Sequence, residues 1–97
     1  IECIEAQNKK VLFYLNNGYC IEVLDTFIHC SERLLLNDGF YKCHRSYLVY
    51  MPAIDHFNST EIQVKSQKII PISRNYVKNF KDVYFDYMFK KGNPDDD

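Results

Sequence analysis

Tryptophan is absent, and glycine and proline each occur only three times in 97 residues. Such a composition excludes a collagen-like chain and a Gly/Pro-rich low-complexity segment. No stretch approaches the roughly 18 consecutive apolar residues that a helical bilayer span requires, so no membrane association is expected. No secretory leader is evident: the chain opens on Ile1-Glu2-Cys3-Ile4, already strand-like. Without an initiator methionine it reads as a piece of a longer protein. The four cysteines, Cys3, Cys20, Cys30 and Cys43, form no C-x-x-C pair and match no zinc spacing. Separated thiols fit a reducing, cytoplasmic location better than a disulfide scaffold. His29 and His56 lack ligand partners at useful spacing, so neither a metal nor a cofactor is expected.

What is present suffices for one domain. The chain is 46% hydrophobic and 15% aromatic, enough to bury a core at this length. Residues 1–90 read as that domain, and 91–97 as a disordered acidic tail. Ile1–Glu5 and Val11–Leu15 read as short strands with a polar turn between them. Asn16-Asn17-Gly18 then signals a hairpin, because both central residues of an Asn-Gly turn tolerate positive φ, and Tyr19–Leu24 returns as its partner. Asp25-Thr26 can cap a helix running to about Leu36. Gly39 suits a left-handed stop. Phe40–Val49 reads as strand or extended chain, Pro52 interrupts it, and Ile54–Phe57 is another short strand. Asn58-Ser59-Thr60 is a turn. Glu61–Lys65 alternates, with Ile62 and Val64 inward. Ser66-Gln67 is a tight turn, and Pro71 points to an edge position for Lys68–Ile72. Ser73 or Asn75 caps a helix over 76–89, whose Tyr76, Val77, Phe80, Val83, Tyr84, Tyr87 and Met88 form an apolar stripe. The architecture is mainly β, with one internal and one C-terminal helix. Without long βαβ alternation, a doubly wound parallel sheet is not expected.

Charge is unevenly spread. The net is −1 at pH 7, yet residues 42–81 hold seven basic and two acidic groups. The flanking stretches 1–41 and 82–97 are each net −3. A polarised domain can offer one electropositive face to phosphate despite a balanced total. Two arginines lie in the basic block in similar surroundings: Arg45 in Phe40-Tyr41-Lys42-Cys43-His44-Arg45-Ser46-Tyr47-Leu48-Val49, and Arg74 in Ile69-Ile70-Pro71-Ile72-Ser73-Arg74-Asn75-Tyr76. Each follows an apolar run and stands beside a serine. A planar five-donor fork on a rigid mount is what reading a guanine edge or gripping a phosphate needs. A structural arginine would need a nearby carboxylate, and few acids lie close in sequence. Lys42, Asn75 and Lys78 add donors beside the two arginines. Asn8, Lys9 and Lys10 on the first turn form a weaker set, since lysine pairs on loops are usually just solvated. Cys43 and His44 are adjacent, but neighbouring strand residues point to opposite faces, so a catalytic dyad is not expected and the chain is not read as an enzyme.

The two arginine segments resemble the signature of the LytTR family, the DNA-binding domain of many bacterial response regulators. Phe40–Val49 matches its aromatic-x-x-x-His-Arg-Ser-aromatic-aliphatic-Val pattern, and Ile70-Pro71-Ile72-Ser73-Arg74 its aliphatic-Pro-aliphatic-Ser-Arg. The opening Ile-x-x-Ile-Glu and Ile54-Asp55 fit as well, so the likeness runs from Ile1 to about Tyr84. It implies an elongated antiparallel β fold with three small sheets. It also implies an upstream receiver domain, and binding to double-stranded promoter DNA, as a dimer, through loops inserted in successive major grooves. By resemblance, Arg45 and Arg74 fall where the family makes base and phosphate contacts, and Asn8-Lys9-Lys10 where a third contact loop lies. In some relatives the Cys43 position is redox-sensitive. Tyr50 departs from the pattern, because asparagine is common there. The rival expectation is a protein-interaction or signalling module of the same fold without DNA binding, for which the acidic flanks and Tyr50 leave room.

Overall fold

The computed structural model describes residues 1–37 and 39–91. Eight strands and two helices follow in the order β1 (Cys3–Gln7), β2 (Lys10–Tyr14), β3 (Cys20–Val23), α1 (Phe27–Leu34), β4 (Phe40–His44), β5 (Tyr47–Tyr50), β6 (Ile54–Phe57), β7 (Glu61–Val64), β8 (Ile69–Pro71) and α2 (Val77–Lys91). Short 3-10 turns at Met51–Ala53 and Arg74–Tyr76 precede β6 and α2. All strand pairs are antiparallel. The resemblance implied three small sheets; the described strands form two, of order β3-β2-β1-β5-β4 and β6-β7-β8. The body is elongated, measuring 43 × 29 × 24 Å.

The central strands explain an oddity of the pattern. Cys3 and Ile4 are both fully buried neighbours, as are Leu48 and Val49. Adjacent strand residues face opposite sides, so β1 and β5 must be covered on both. Ile4 and Leu48 join Val11 and Cys30 beneath α1, while Cys3 and Val49 join Ile62, Val64, Ile70 and Phe80 between the second sheet and α2. Phe80 anchors this larger core, with ring centroids 5.0 Å from Phe57, 5.5 Å from Tyr41 and 5.6 Å from Tyr84.

Local chemistry accounts for most boundaries. Thr26 caps α1, its hydroxyl accepting from the His29 amide at 3.1 Å. Asn58 Oδ1 accepts from the Thr60 and Glu61 amides and closes the β6–β7 turn. Pro71 lies on the edge strand β8, paired with Glu61.

Four details differ from expectation. The β2–β3 hairpin has only Gly18 at positive φ, +89°. Leu15 accepts from Gly18 N and donates to Tyr19 O, so Asn16-Asn17-Gly18 is a three-residue loop ending in a left-handed bulge. Phe40–Val49 is not one extended run but the hairpin β4–β5. Neither Ser73 nor Asn75 caps the last helix through its side chain; Ser73 precedes a 3-10 turn without a side-chain hydrogen bond. Met88 leaves the buried stripe, at 41% exposed, about one 100° step past the buried Tyr87. The expected acidic tail falls, from residue 92 on, outside the described residues.

Gly39 has φ +112°, and an added Cβ would meet Tyr50 Cε1 at 3.0 Å and the Tyr87 hydroxyl at 3.2 Å. Gly39→Ala is expected to cost about 1–3 kcal/mol through backbone strain and crowding. The check is a urea titration, read as a lower midpoint at unchanged slope.

Candidate nucleic-acid interface

Arg45 and Ser46 form the turn of the β4–β5 hairpin, without a glycine or proline to make it. The turn is closed by a side chain instead: His44 Nδ1 accepts from the Ser46 amide at 3.1 Å. This places the imidazole proton on Nε2. The ring also packs edge-on against Tyr47, at 5.5 Å and 79°. Arg45 is thus carried on a hairpin tip held from both sides.

Two backbone bridges join this tip to the other candidate segments. Ala6 N donates to Ser46 O at 2.8 Å, which sets the Asn8-Lys9 turn of the β1–β2 hairpin beside it. Ser73 N donates to Cys43 O at 2.9 Å, which sets the Arg74–Tyr76 turn against β4. Arg45 lies between the two bridges. Asn8, Lys9, Arg45, Arg74 and Asn75 are therefore gathered at one end of the molecule, and all five side chains are exposed. Neither arginine has an ion pair or side-chain hydrogen bond to a described residue.

The remaining candidates divide. Lys78, in the first turn of α2, is exposed and has no described partner. Lys42 projects from β4 with its ammonium 5.8 Å from the centre of the Phe27 ring, a cation–π contact that orients it. Lys10 is part of β2 rather than the turn, and its ammonium pairs with Glu22 on β3. Lys9 stands at the turn with φ +58°. Arg74 also borders a groove of about 590 Å³ with Ser59, Thr60, Ile72 and Val77. Ser46, whose carbonyl ties the first turn to the Arg45 hairpin, was missed in the sequence. A backbone acceptor leaves no trace in residue type.

A second polar cluster holds the two sheets in register. Glu5 on β1 accepts from the Tyr14 hydroxyl at 3.1 Å and lies 3.7 Å from Lys68 of the β7–β8 turn. Lys68 also sits 4.0 Å over the Tyr14 ring. Burial, then the nearby Glu5 carboxylate, pushes the Tyr47 phenol up to about 12 and raises Tyr14 further. At neutral pH both phenols keep their protons, and the Tyr14 hydroxyl donates to Glu5.

The Cys43–His44 pair is not built for nucleophilic chemistry. Cys43 is buried, and burial pushes its thiol up to about 12. A thiol so raised is not a thiolate at neutral pH. Among the described residues no three His, Cys, Asp or Glu side chains gather as a metal site; His29 instead bonds Asp25 at 2.7 Å, and His56 bonds Asp55 at 3.1 Å.

Two measurements follow. In a thiol-reagent titration of the native protein, exposed Cys20 is expected to react promptly and Cys3 and Cys43 only on unfolding. Burial likewise raises Cys3 to about 12, so both thiols favour the fold fully below the unfolded value near 9. That contribution is lost as pH rises from there toward 12. His44→Ala removes the acceptor of the Ser46 amide and is expected to cost about 0.5–1.5 kcal/mol, with faster hydrogen exchange at Ser46.

Comparison with known proteins bears on the family and the fold. The family model of the LytTr DNA-binding domain matches residues 1–84. No curated protein matches. Among solved structures, a LytTr DNA-binding domain from Bacillus cereus, described as part of a methyl-accepting/DNA response regulator, is similar in fold with a TM-score of 0.67. It shares 24% identity, over 86% of this chain and 79% of that one. With most of its length matched by the family model and its strands in the same arrangement, this chain belongs to the LytTR family of DNA-binding domains.

Proposed function

We propose that the chain is the sequence-specific DNA-binding module of a bacterial transcriptional regulator, and that Arg45 and Arg74 carry its readout. The observation behind this reading is the pair of backbone bridges, Ala6–Ser46 and Ser73–Cys43, that gather three loops around two unpaired arginines. Arg45, at a hairpin tip narrow enough to enter a major groove, is suited to a bidentate contact with guanine O6 and N7. Arg74, beside a groove and followed by Asn75, is suited to a second base edge or the adjoining phosphate. Asn8 and Asn75 carry the amide that pairs with adenine N6 and N7. Lys9, Lys42 and Lys78 supply positive charge for phosphates, setting register without reading sequence. Lys10, already paired with Glu22, contributes less.

The loops that bear these residues would enter the major groove from one end of the body. The partner is double-stranded promoter DNA, bound as a dimer on paired half-sites, with an upstream receiver domain controlling the pairing. No residue is assigned a catalytic role.

Selection of a target from a random duplex pool, followed by binding to it, tests this. Arg45→Ala and Arg74→Ala are each expected to cost about 1–3 kcal/mol on the selected site and to relax preference at the base each reads. Lys78→Ala is expected to weaken binding evenly across sequences and to lower the salt slope by about 1. Parent-like binding by both arginine variants, or affinity indifferent to salt, contradicts the proposal. Failure to enrich any duplex favours the interaction-module reading instead.

A further inference from the structure

We propose that the free edge of β3 pairs antiparallel with the β3 edge of a second copy of this chain, joining two five-stranded sheets into one. Among the described residues the two sheets have four edge strands, and three of them carry a feature that blocks such pairing. β4 gives its Cys43 carbonyl to Ser73 N and shifts register between Tyr41 and His44. β6 shifts register between Ile54 and His56 and exposes Asp55. β8 is three residues long and contains Pro71. β3 has no proline, and its pairing with β2 runs without a shift from Cys20 to Val23. Its one charge, Glu22, is already paired with Lys10. This unprotected edge is also apolar: Tyr19 is 71% exposed and Ile21 51%.

The backbone of β3 fixes the register of the pair. Glu2 N donates to Tyr14 O, so Tyr14 turns toward β1, whereas Leu15 N donates to Tyr19 O and turns toward β3. The direction alternates residue by residue, so Phe13 and Val11 bond to Ile21 and Val23. Cys20 and Glu22, opposite Tyr14 and Leu12, therefore turn their N–H and C=O groups outward. A two-fold axis through Ile21 sets Cys20 of each copy opposite Glu22 of the other, and the two exchange N–H···O=C bonds. On the face that α1 covers, where Ile21 lies opposite Phe13 and Phe13 opposite Ile4, Ile21 then meets Ile21, and Tyr19 meets Val23. Every cross-strand pair on that face is apolar. An axis through Glu22 would set like charges directly opposite, which destabilises a sheet. An axis through Cys20 would run the pairing into the left-handed Gly18.

A strip of this length buries less than the roughly 1,600 Å² of a standard stable interface, so the pair is weak and depends on concentration. The Asn8-Lys9 turn adjoins the Val23 end of β3, through Val11. Antiparallel pairing places the two copies' turns, and the arginines beside them, at opposite ends of the joined sheet. This contact is therefore distinct from pairing on adjacent half-sites. It stands without the DNA-binding reading and is tested without DNA.

The experiment is sedimentation equilibrium from micromolar to millimolar protein. A monomer–dimer equilibrium is expected, and Ile21→Lys, a charge at the centre of the pair, is expected to weaken it about tenfold or more. Register is read by disulfide formation in a Cys20→Ser background. Directly opposed residues of a non-hydrogen-bonded pair stand about 4.5 Å apart at Cα, within the span of a disulfide. Ile21→Cys is thus expected to cross-link two copies under mild oxidation faster than Leu24→Cys, although Leu24 is the more exposed. A monomer at every concentration, self-association unchanged by Ile21→Lys, or cross-linking at Leu24 as fast as at Ile21 overturns the proposal. Should Ile21→Lys fail to fold, Glu22→Pro removes an outward amide and leaves the bonds to β2 in place; unchanged association in that variant overturns it equally.

Discussion

The pairing of β1 with β5 is the constraint on which the rest of this structure depends. Both strands are central in the five-stranded sheet and buried on both faces. A strand covered on both sides cannot slip by one residue without moving every apolar side chain to the wrong core. The register Ile4–Leu48 is therefore strongly specified. From it follows the Ala6–Ser46 bridge, and with that the placement of the first turn beside the Arg45 hairpin. The proposed readout groups sit on loops, but the loops are short and emerge from the most tightly determined part of the sheet.

The two arginines reach the same end by different routes. Arg45 is carried by the five-stranded sheet, whereas Arg74 follows the three-stranded sheet and is tied back through Ser73 to Cys43. Their relative position thus depends on how the two sheets pack. The contacts between sheets are of two kinds. The apolar core around Phe80, Ile62 and Val49 supplies adhesion without direction. The polar links, Glu5 with Lys68 and Glu2 with Ser66, supply direction. Hydrogen bonds fix angles and distances in a way that apolar contact does not. This gives the buried Glu2 and the half-buried Glu5 a structural reason to be there, at some cost in stability.

The near-neutral net charge is consistent with this design. Some acidic groups pair internally: Glu22 with Lys10, Glu5 with Lys68, Asp86 with Lys90. Arg45, Arg74 and Lys78 have no ion pair among the described residues. What an approaching polyanion meets is the local excess, and the field of distant charges is screened within about 10 Å at ordinary salt. The total charge of such a domain says little about the face it presents.

Much of this was legible in the residues. Period-two alternation in Glu61–Lys65, the cap at Thr26, the left-handed Gly39 and the stripe around Phe80 are each written within a few neighbouring positions, where local sterics and hydrogen bonding decide. The two arginines stood out for the same reason, as charges at the ends of apolar runs. The β4–β5 turn was not legible, because it is closed by a histidine ring rather than by a glycine or proline. Nor was the joining of Asn8-Lys9, Arg45 and Arg74, since it rests on carbonyl and amide groups that every residue possesses. The sequence alone thus determined which side chains were available and which local elements they favoured. Only the tertiary structure decided that they share one end, because that depends on strand register and sheet packing between residues far apart in the chain.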